Sequence, residues 1–354
     1  MDNLYKSLVM HIDAELKFYP LYHFIVPLQE SCGEVNHIDE YVDAVYNDFV
    51  SVCSGRLIST NPTFSYHNVI DIYKVYPELD ELRKKGSTDA PFFRNIDITI
   101  SINKEISGLL ESDINGEYNP EDSHYEGNGE GTVVISEMIF CNSIEKAKML
   151  IDKNLHHEFI HALFDYNERL NGSSMTDVIT RDNYNEFADR LFSCNWELPE
   201  DYSALYLLYY LYDHEMNAFI GGFSSEIKNG INKPKLFFDQ KDIMELICST
   251  SIYKRYENCT DCVKMLEMIY DPEDKIRLVS YINNLLGNKS KRYFKTYGEM
   301  IKYFKRQLSK FYNKIMKQGP KLAYKYLIKS SNRIDIPHSC FEYMNKMMKK
   351  YTNK

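Results

Sequence analysis

From Ile96 to Ile102 the chain alternates strictly. Ile96, Ile98, Ile100 and Ile102 are separated by Asp97, Thr99 and Ser101, the period-two pattern of a half-buried β-strand. Residues 132–141 read as a second strand. The stretch between them, 111–130, is rich in Gly, Asn and acids, so the pattern predicts a loop joining two antiparallel strands. The acids of that loop (Asp113, Glu117, Glu121, Asp122, Glu126 and Glu130) lack the spacing of a calcium site. They are expected to be solvated.

Elsewhere the period is helical. Over residues 4–82 apolar positions recur at intervals of three and four, with breaks at Pro20, Pro27, Gly55, Pro62 and Pro77. Ser143 is placed as an N-cap. Helical periodicity then runs through Ala147, Leu150, Ile151 and Leu155 to Leu170, as one helix or as two joined near Asn154, and Asn171-Gly172 stops it. A shorter helix is predicted over 184–194. Pro199 opens a strongly apolar helix expected to reach at least Phe219, with Gly221-Gly222 ending or bending it. Beyond residue 231, Met300, Phe304, Leu308, Phe311 and Ile315 form one apolar stripe. Lys302, Lys305, Arg306, Lys310, Lys314 and Lys317 mostly cover the other side, and Gly319-Pro320 is expected to end that helix. The pattern predicts an α+β fold, predominantly helical, in three parts. These are a helical region over 1–90, a core over 91–230 with a small antiparallel or mixed sheet, and a helical region over 231–354.

A chain of 354 residues with 44% apolar content can bury one large core or several modest ones. Its most apolar window, 202–212, is too short to span a bilayer, and no secretory leader pattern is visible. A soluble, cytoplasmic protein is expected, in a host cytoplasm or a virion if phage-encoded. The abundance of Lys, Asn, Ile and Tyr fits an AT-rich coding genome. The eight cysteines are expected to be reduced thiols. Cys259 and Cys262 have the spacing of half a metal knuckle, but no second pair completes it. The net charge of −9 hides an asymmetry, since residues 289–354 hold 18 Lys or Arg against Glu299, Asp335 and Glu342. Such a segment can meet nucleic acid or an acidic partner, or attract the acidic remainder of the chain.

The chemistry points to His157-Glu158-Phe159-Ile160-His161. Helical positions four apart share a face about 6 Å along the axis, so His157 and His161 can put two imidazoles on one metal ion. Glu158 stands one residue round, where a general base can reach water without being a ligand. The segment is set among Leu155, Phe159, Ile160, Ala162 and Leu163, the half-buried surroundings that two ligands need. His156 points about 100° away from His157 and is read as a non-ligand. Asp165 can act as a carboxylate behind His161 or as a surface residue.

Two later carboxylates compete for the third position. Glu215 is flanked on its helix face by Leu208, Leu211, Tyr212, Ala218, Phe219 and Gly222, an apolar setting in which a bare carboxylate is costly. Glu186 has Asp182, Asn183, Asp189 and Arg190 around it, a face that water can solvate. The contrast favours Glu215.

With strands ahead of the His-Glu-Phe-Ile-His helix and Glu215-Met216-Asn217-Ala218 behind it, residues 91–225 resemble the gluzincin zinc peptidases. The likeness is greatest to the small zincin-like proteins of bacteria and phages. The resemblance implies a zincin-like core with bound zinc, hydrolysis of a peptide or protein substrate, and pairing of that substrate with the strand before the active helix. It departs from thermolysin-like enzymes in the third carboxylate, whose counterpart there would fall nearer Glu186. The competing expectations are a catalytically silent scaffold, such as a virion component, and a protease tethered to nucleic acid by residues 289–354.

Overall fold

The structure is a computed structural model that describes residues 37–53, 63–87, 91–103, 115–126, 129–141, 144–171, 181–193, 197–231, 239–287, 292–330 and 337–352. The fold is α+β. Among the described residues helices dominate, and four strands form one mixed sheet in the order β1-β2-β4-β3. The alternating isoleucines form β2 (Asn95–Asn103), and β4 (Glu130–Phe140) runs parallel to it with Ile96 opposite Val133 and Ile98 opposite Ile135. These pairs give the sheet a continuous apolar inner face, which helix α1 (Ile38–Cys53) and helix α4 (Ile144–Asn171) cover.

The sheet departs from the sequence expectation in three ways. Strand β1 (Thr63–Asp71) lies inside the region read as helical, and the sheet crosses the boundary drawn at residue 91. Only Tyr66 and Ile70 of β1 are buried, opposite Ile100 and Ile96. Their spacing of four imitates a helix. Strand β3 (Asn115–Glu126) occupies the expected loop and pairs antiparallel with β4, with an irregularity between Asn119 and His124. Its sequence has no apolar alternation because β4 supplies the pairing. The strands on either side of that stretch, β2 and β4, are consequently parallel rather than antiparallel. The acids Glu117, Glu121, Asp122 and Glu126 lie on β3 and Glu130 opens β4, whereas Asp113 lies outside the described residues. Two short helices, α2 (Ile72–Val75) and α3 (Pro77–Lys84), link β1 to β2.

Helix α4 is a single helix of 28 residues; the proposed cap Ser143 and stop Gly172 lie outside the described residues. Beyond it come α5 (Arg181–Phe192), α6 (Pro199–Tyr210) and α7 (Asp213–Ile231). The apolar helix opened by Pro199 is therefore broken at Leu211 and Tyr212, ahead of the expected end. Gly221 and Gly222 neither end nor interrupt α7. The remaining helices among the described residues are α8 (Gln240–Ser249), α9 (Ser251–Glu267), α10 (Pro272–Leu286), α11 (Tyr297–Ser330) and α12 (His338–Thr352).

Helix α11 continues through Pro320. Gly319 lets α11 approach Ile247 and Phe223 closely, since a Cβ there would come within 2.8 Å of Ile247. Burial at this crossing outweighs the missing proline N–H. Met300, Phe304, Phe311 and Ile315 are buried as the stripe requires, while Lys302, Lys305, Arg306 and Lys310 are exposed.

Among the described residues two apolar clusters result. One joins the sheet, α1 and the stretch of α4 from Ala147 to Ala162; the other joins α5 through α12. Cys141, Cys248, Cys259, Cys262 and Cys340 are free thiols, with Cys259 and Cys262 buried in the helical cluster. Among the described residues no helix is long and apolar enough to cross a membrane.

Candidate metal centre

His157 and His161 stand one turn apart on α4, and Phe159 between them is buried against Tyr41 and Phe93, which fixes the helix on the sheet. Their Nε2 atoms are 3.1 Å apart. Glu215 approaches from the first turn of α7, with Oε1 3.2 Å from His161 Nε2 and Oε2 3.7 Å from His157 Nε2. One donor atom from each residue lies within 4.8 Å of the other two, a group that could hold a metal ion. Two glycines bring α7 this near. A Cβ on Gly221 would meet His156 O at 3.0 Å, and one on Gly222 would meet Lys153 O at 3.0 Å, so α7 rests on the backbone of α4.

The three donors are tuned by one another. Burial pushes His157 down to about 3, with Glu215 opposing the shift. Burial acts in the same sense on His161, yet its hydrogen bond to Glu215 holds it above its ordinary value. Glu215 is 2% exposed, so its carboxylate depends on these imidazoles rather than on bulk water.

Glu158 is 5% exposed and lies against β3, where its Oε2 accepts a hydrogen bond of 2.8 Å from the backbone N–H of Tyr118. Gly116 makes room for it, because a Cβ there would stand 2.8 Å from Glu158 Oε1. Burial raises the Glu158 pKa to about 7; His161 and the Tyr118 N–H limit the rise. Behind it is another buried carboxyl, Glu137 of β4, whose Oε2 accepts from Asn154 Nδ2 at 3.3 Å while Oε1 has no hydrogen-bond partner among the described residues. Burial, reinforced by the charge of Glu158, holds Glu137 well above the carboxylate range.

The neighbouring residues have other partners. His156 Nε2 lies 3.2 Å from Asp39 Oδ1 and its Nδ1 lies 2.7 Å from the carbonyl of Asp152, on the side of α4 facing α1. Asp165 accepts from the Tyr118 hydroxyl and pairs with Arg169 at 3.0 Å. Glu186 on α5 is exposed and pairs with Arg190 at 3.0 Å; it is not among the three converging donors.

Sequence reasoning missed Gly116, Tyr118, Glu137 and the nearby Arg255. Only Glu137 left a trace, as the charged residue at an inward position of the series Val133, Ile135, Glu137, Ile139. Comparison with protein-family models, with curated proteins and with solved structures finds no match.

Proposed function

We propose that this chain is a zinc-dependent peptidase with a zincin-like core. The observation that carries the reading is the convergence of His157, His161 and Glu215 within 4.8 Å beside a buried carboxyl, Glu158, that belongs to none of them. Two histidines and one carboxylate are a donor set of catalytic zinc sites, which leave a position open. Zinc held there would supply Lewis acidity, polarising a carbonyl and acidifying water.

The remaining work falls to the chain's own groups. With a pKa of about 7, Glu158 can accept a proton from the attacking water and return it to the leaving amine at neutral pH. The Tyr118 N–H orients its carboxylate. Among the described residues β4 is paired on both sides, by β2 and β3, so the substrate pairing that the resemblance implied for the strand before the helix falls to the outer edge of β3. That strand touches Glu158 through Gly116 and Tyr118, and an unpaired edge can take up an extended peptide.

The test combines metal analysis with two variants. We expect one equivalent of zinc in the parent, loss of metal in Glu215→Ala, and retention of metal in Glu158→Gln with cleavage of a peptide library reduced by about 100-fold or more. A parent that takes up no zinc, or a Glu158→Gln variant that cleaves at the parental rate, would sink the reading.

A further inference from the structure

Arg255 on α9 presents its guanidinium to two rings bordering the metal centre, with Cζ 4.0 Å from the centroid of Tyr210 and 4.8 Å from that of Phe219. Phe219 is also the ring that packs on His157, at 4.7 Å between centroids. The guanidinium is thus one aromatic ring from the donors, and its charge is felt by both Glu215 and His157. Glu158 and Arg255 stand on different walls, the first against β3 and the second against α6 and α7.

A guanidinium in such a setting ordinarily has an acidic partner. Every other half-buried arginine among the described residues has one: Arg83 with Asp80, Arg94 with Asp71, Arg190 with Glu186, Arg277 with Asp201 and Arg292 with Glu299. Among those residues no carboxylate lies within 4.0 Å of Arg255. Burial keeps the neighbouring phenols of Tyr206 and Tyr210 protonated, so they add no negative charge to offset it. Stacking on two rings holds the side chain in place without neutralising it, and the residue remains partly open to solvent. A planar fork with donors to spare is suited to a carboxylate.

We propose that Arg255 is the subsite for a carboxylate of the substrate, bound while a carbonyl one to three residues away along the peptide lies at the metal centre. At roughly 3.3 Å per extended residue such a span bridges one intervening ring. The carboxylate is either the C-terminal one, which makes the protein trim peptides from that end, or an acidic side chain. This inference rests on the peptidase reading.

The experiment titrates the zinc-loaded Glu158→Gln protein calorimetrically with three short peptides: an uncharged one with a free C-terminal acid, the same peptide as its amide, and an amide carrying one Glu. A charge-assisted pair should make the favoured charged peptide bind about 10- to 100-fold more tightly than the neutral amide. Which charged peptide gains identifies the source. Adding Arg255→Met should bring all three within about twofold, and Arg255→Lys should fall between because it keeps charge but loses the fork. If Arg255→Met does not fold, the comparison in the Arg255 protein and the Arg255→Lys series still decide. Equal binding of all three peptides to zinc-loaded protein overturns the inference and leaves the metal centre standing. Failure to bind zinc overturns both.

Discussion

On the proposed zinc reading, His161 holds the proton that would govern metal entry. Burial keeps His157 neutral down to about pH 3, but Glu215 holds His161 above its ordinary value of 6.5, so His161 gives up its proton less readily than a free imidazole. Zinc bound as proposed would have to displace that proton. Below the raised pKa of His161 zinc affinity should rise up to roughly tenfold per pH unit, flattening above it, with about one proton released per metal. Competition against a chelating dye across that range measures this, and a pH-independent affinity would refute it. Glu137 gives a second residue-scale test. Its folded pKa is raised, so its contribution to stability is fully present below the unfolded value of about 4.5 and declines as pH rises towards the folded value. Glu137→Gln cannot ionise. Relative to that variant the parent should lose about 1.4 kcal/mol per pH unit above that point, read from denaturation midpoints at a series of pH values. A constant difference between the two proteins would show that Glu137 is not held protonated.

Among elements, the crossing of α4 and α7 carries the most consequence. Glycine inside a helix costs about 1 kcal/mol against alanine, and α7 tolerates Gly221 and Gly222 because they allow contact with the α4 backbone at His156 and Lys153. The Lys153–Glu226 ion pair at 3.1 Å and the hydrogen bond from Ser225 to Asp152 fasten the same crossing. Glu215 is presented to both histidines only while the two helices stay at this separation. Gly222→Val should therefore weaken zinc binding as well as lowering stability by about 1–3 kcal/mol. Gly298→Ala, on α11 with nothing within 4 Å of the added Cβ, should leave zinc binding unchanged. Parental zinc affinity in Gly222→Val would contradict this account.

For the whole molecule, the centre lies on the seam between the two apolar clusters. Phe159 and Ala162 beside the histidines belong to the sheet cluster, whereas Met216, Ile220 and Phe223 beside Glu215 belong to the helical one. On the proposed reading, a metal held by His157, His161 and Glu215 would couple them. Zinc at about 1,000 times its Kd should add on the order of 4 kcal/mol, and the loaded protein should melt in one calorimetric transition that separates into two on chelation. Identical melting curves with and without chelator would exclude the coupling. Some charge of the basic C-terminal segment is also used internally, through Lys305–Glu267 at 2.5 Å and through Lys314, which donates to Asn217 of α7 at 2.7 Å.

What the sequence by itself determined is whatever local periodicity encodes. The isoleucine alternation marked β2, the apolar series marked α4 and the stripe of α11, and the four-residue step from His157 to His161 put two imidazoles on one face of a helix. Glu215 was legible as a carboxylate in an apolar setting. Tertiary structure decided the rest. Strand β3 exists because β4 offers it an edge, β1 because Tyr66 and Ile70 meet Ile100 and Ile96, and α11 passes Pro320 because burial there outweighs a lost hydrogen bond. The walls of the centre belong to the same class: Tyr118, Glu137 and Arg255 stand on β3, β4 and α9, none of them on the helix that carries Glu158. No local pattern signals such neighbours, since pairing over that distance along the chain is set by how the clusters pack.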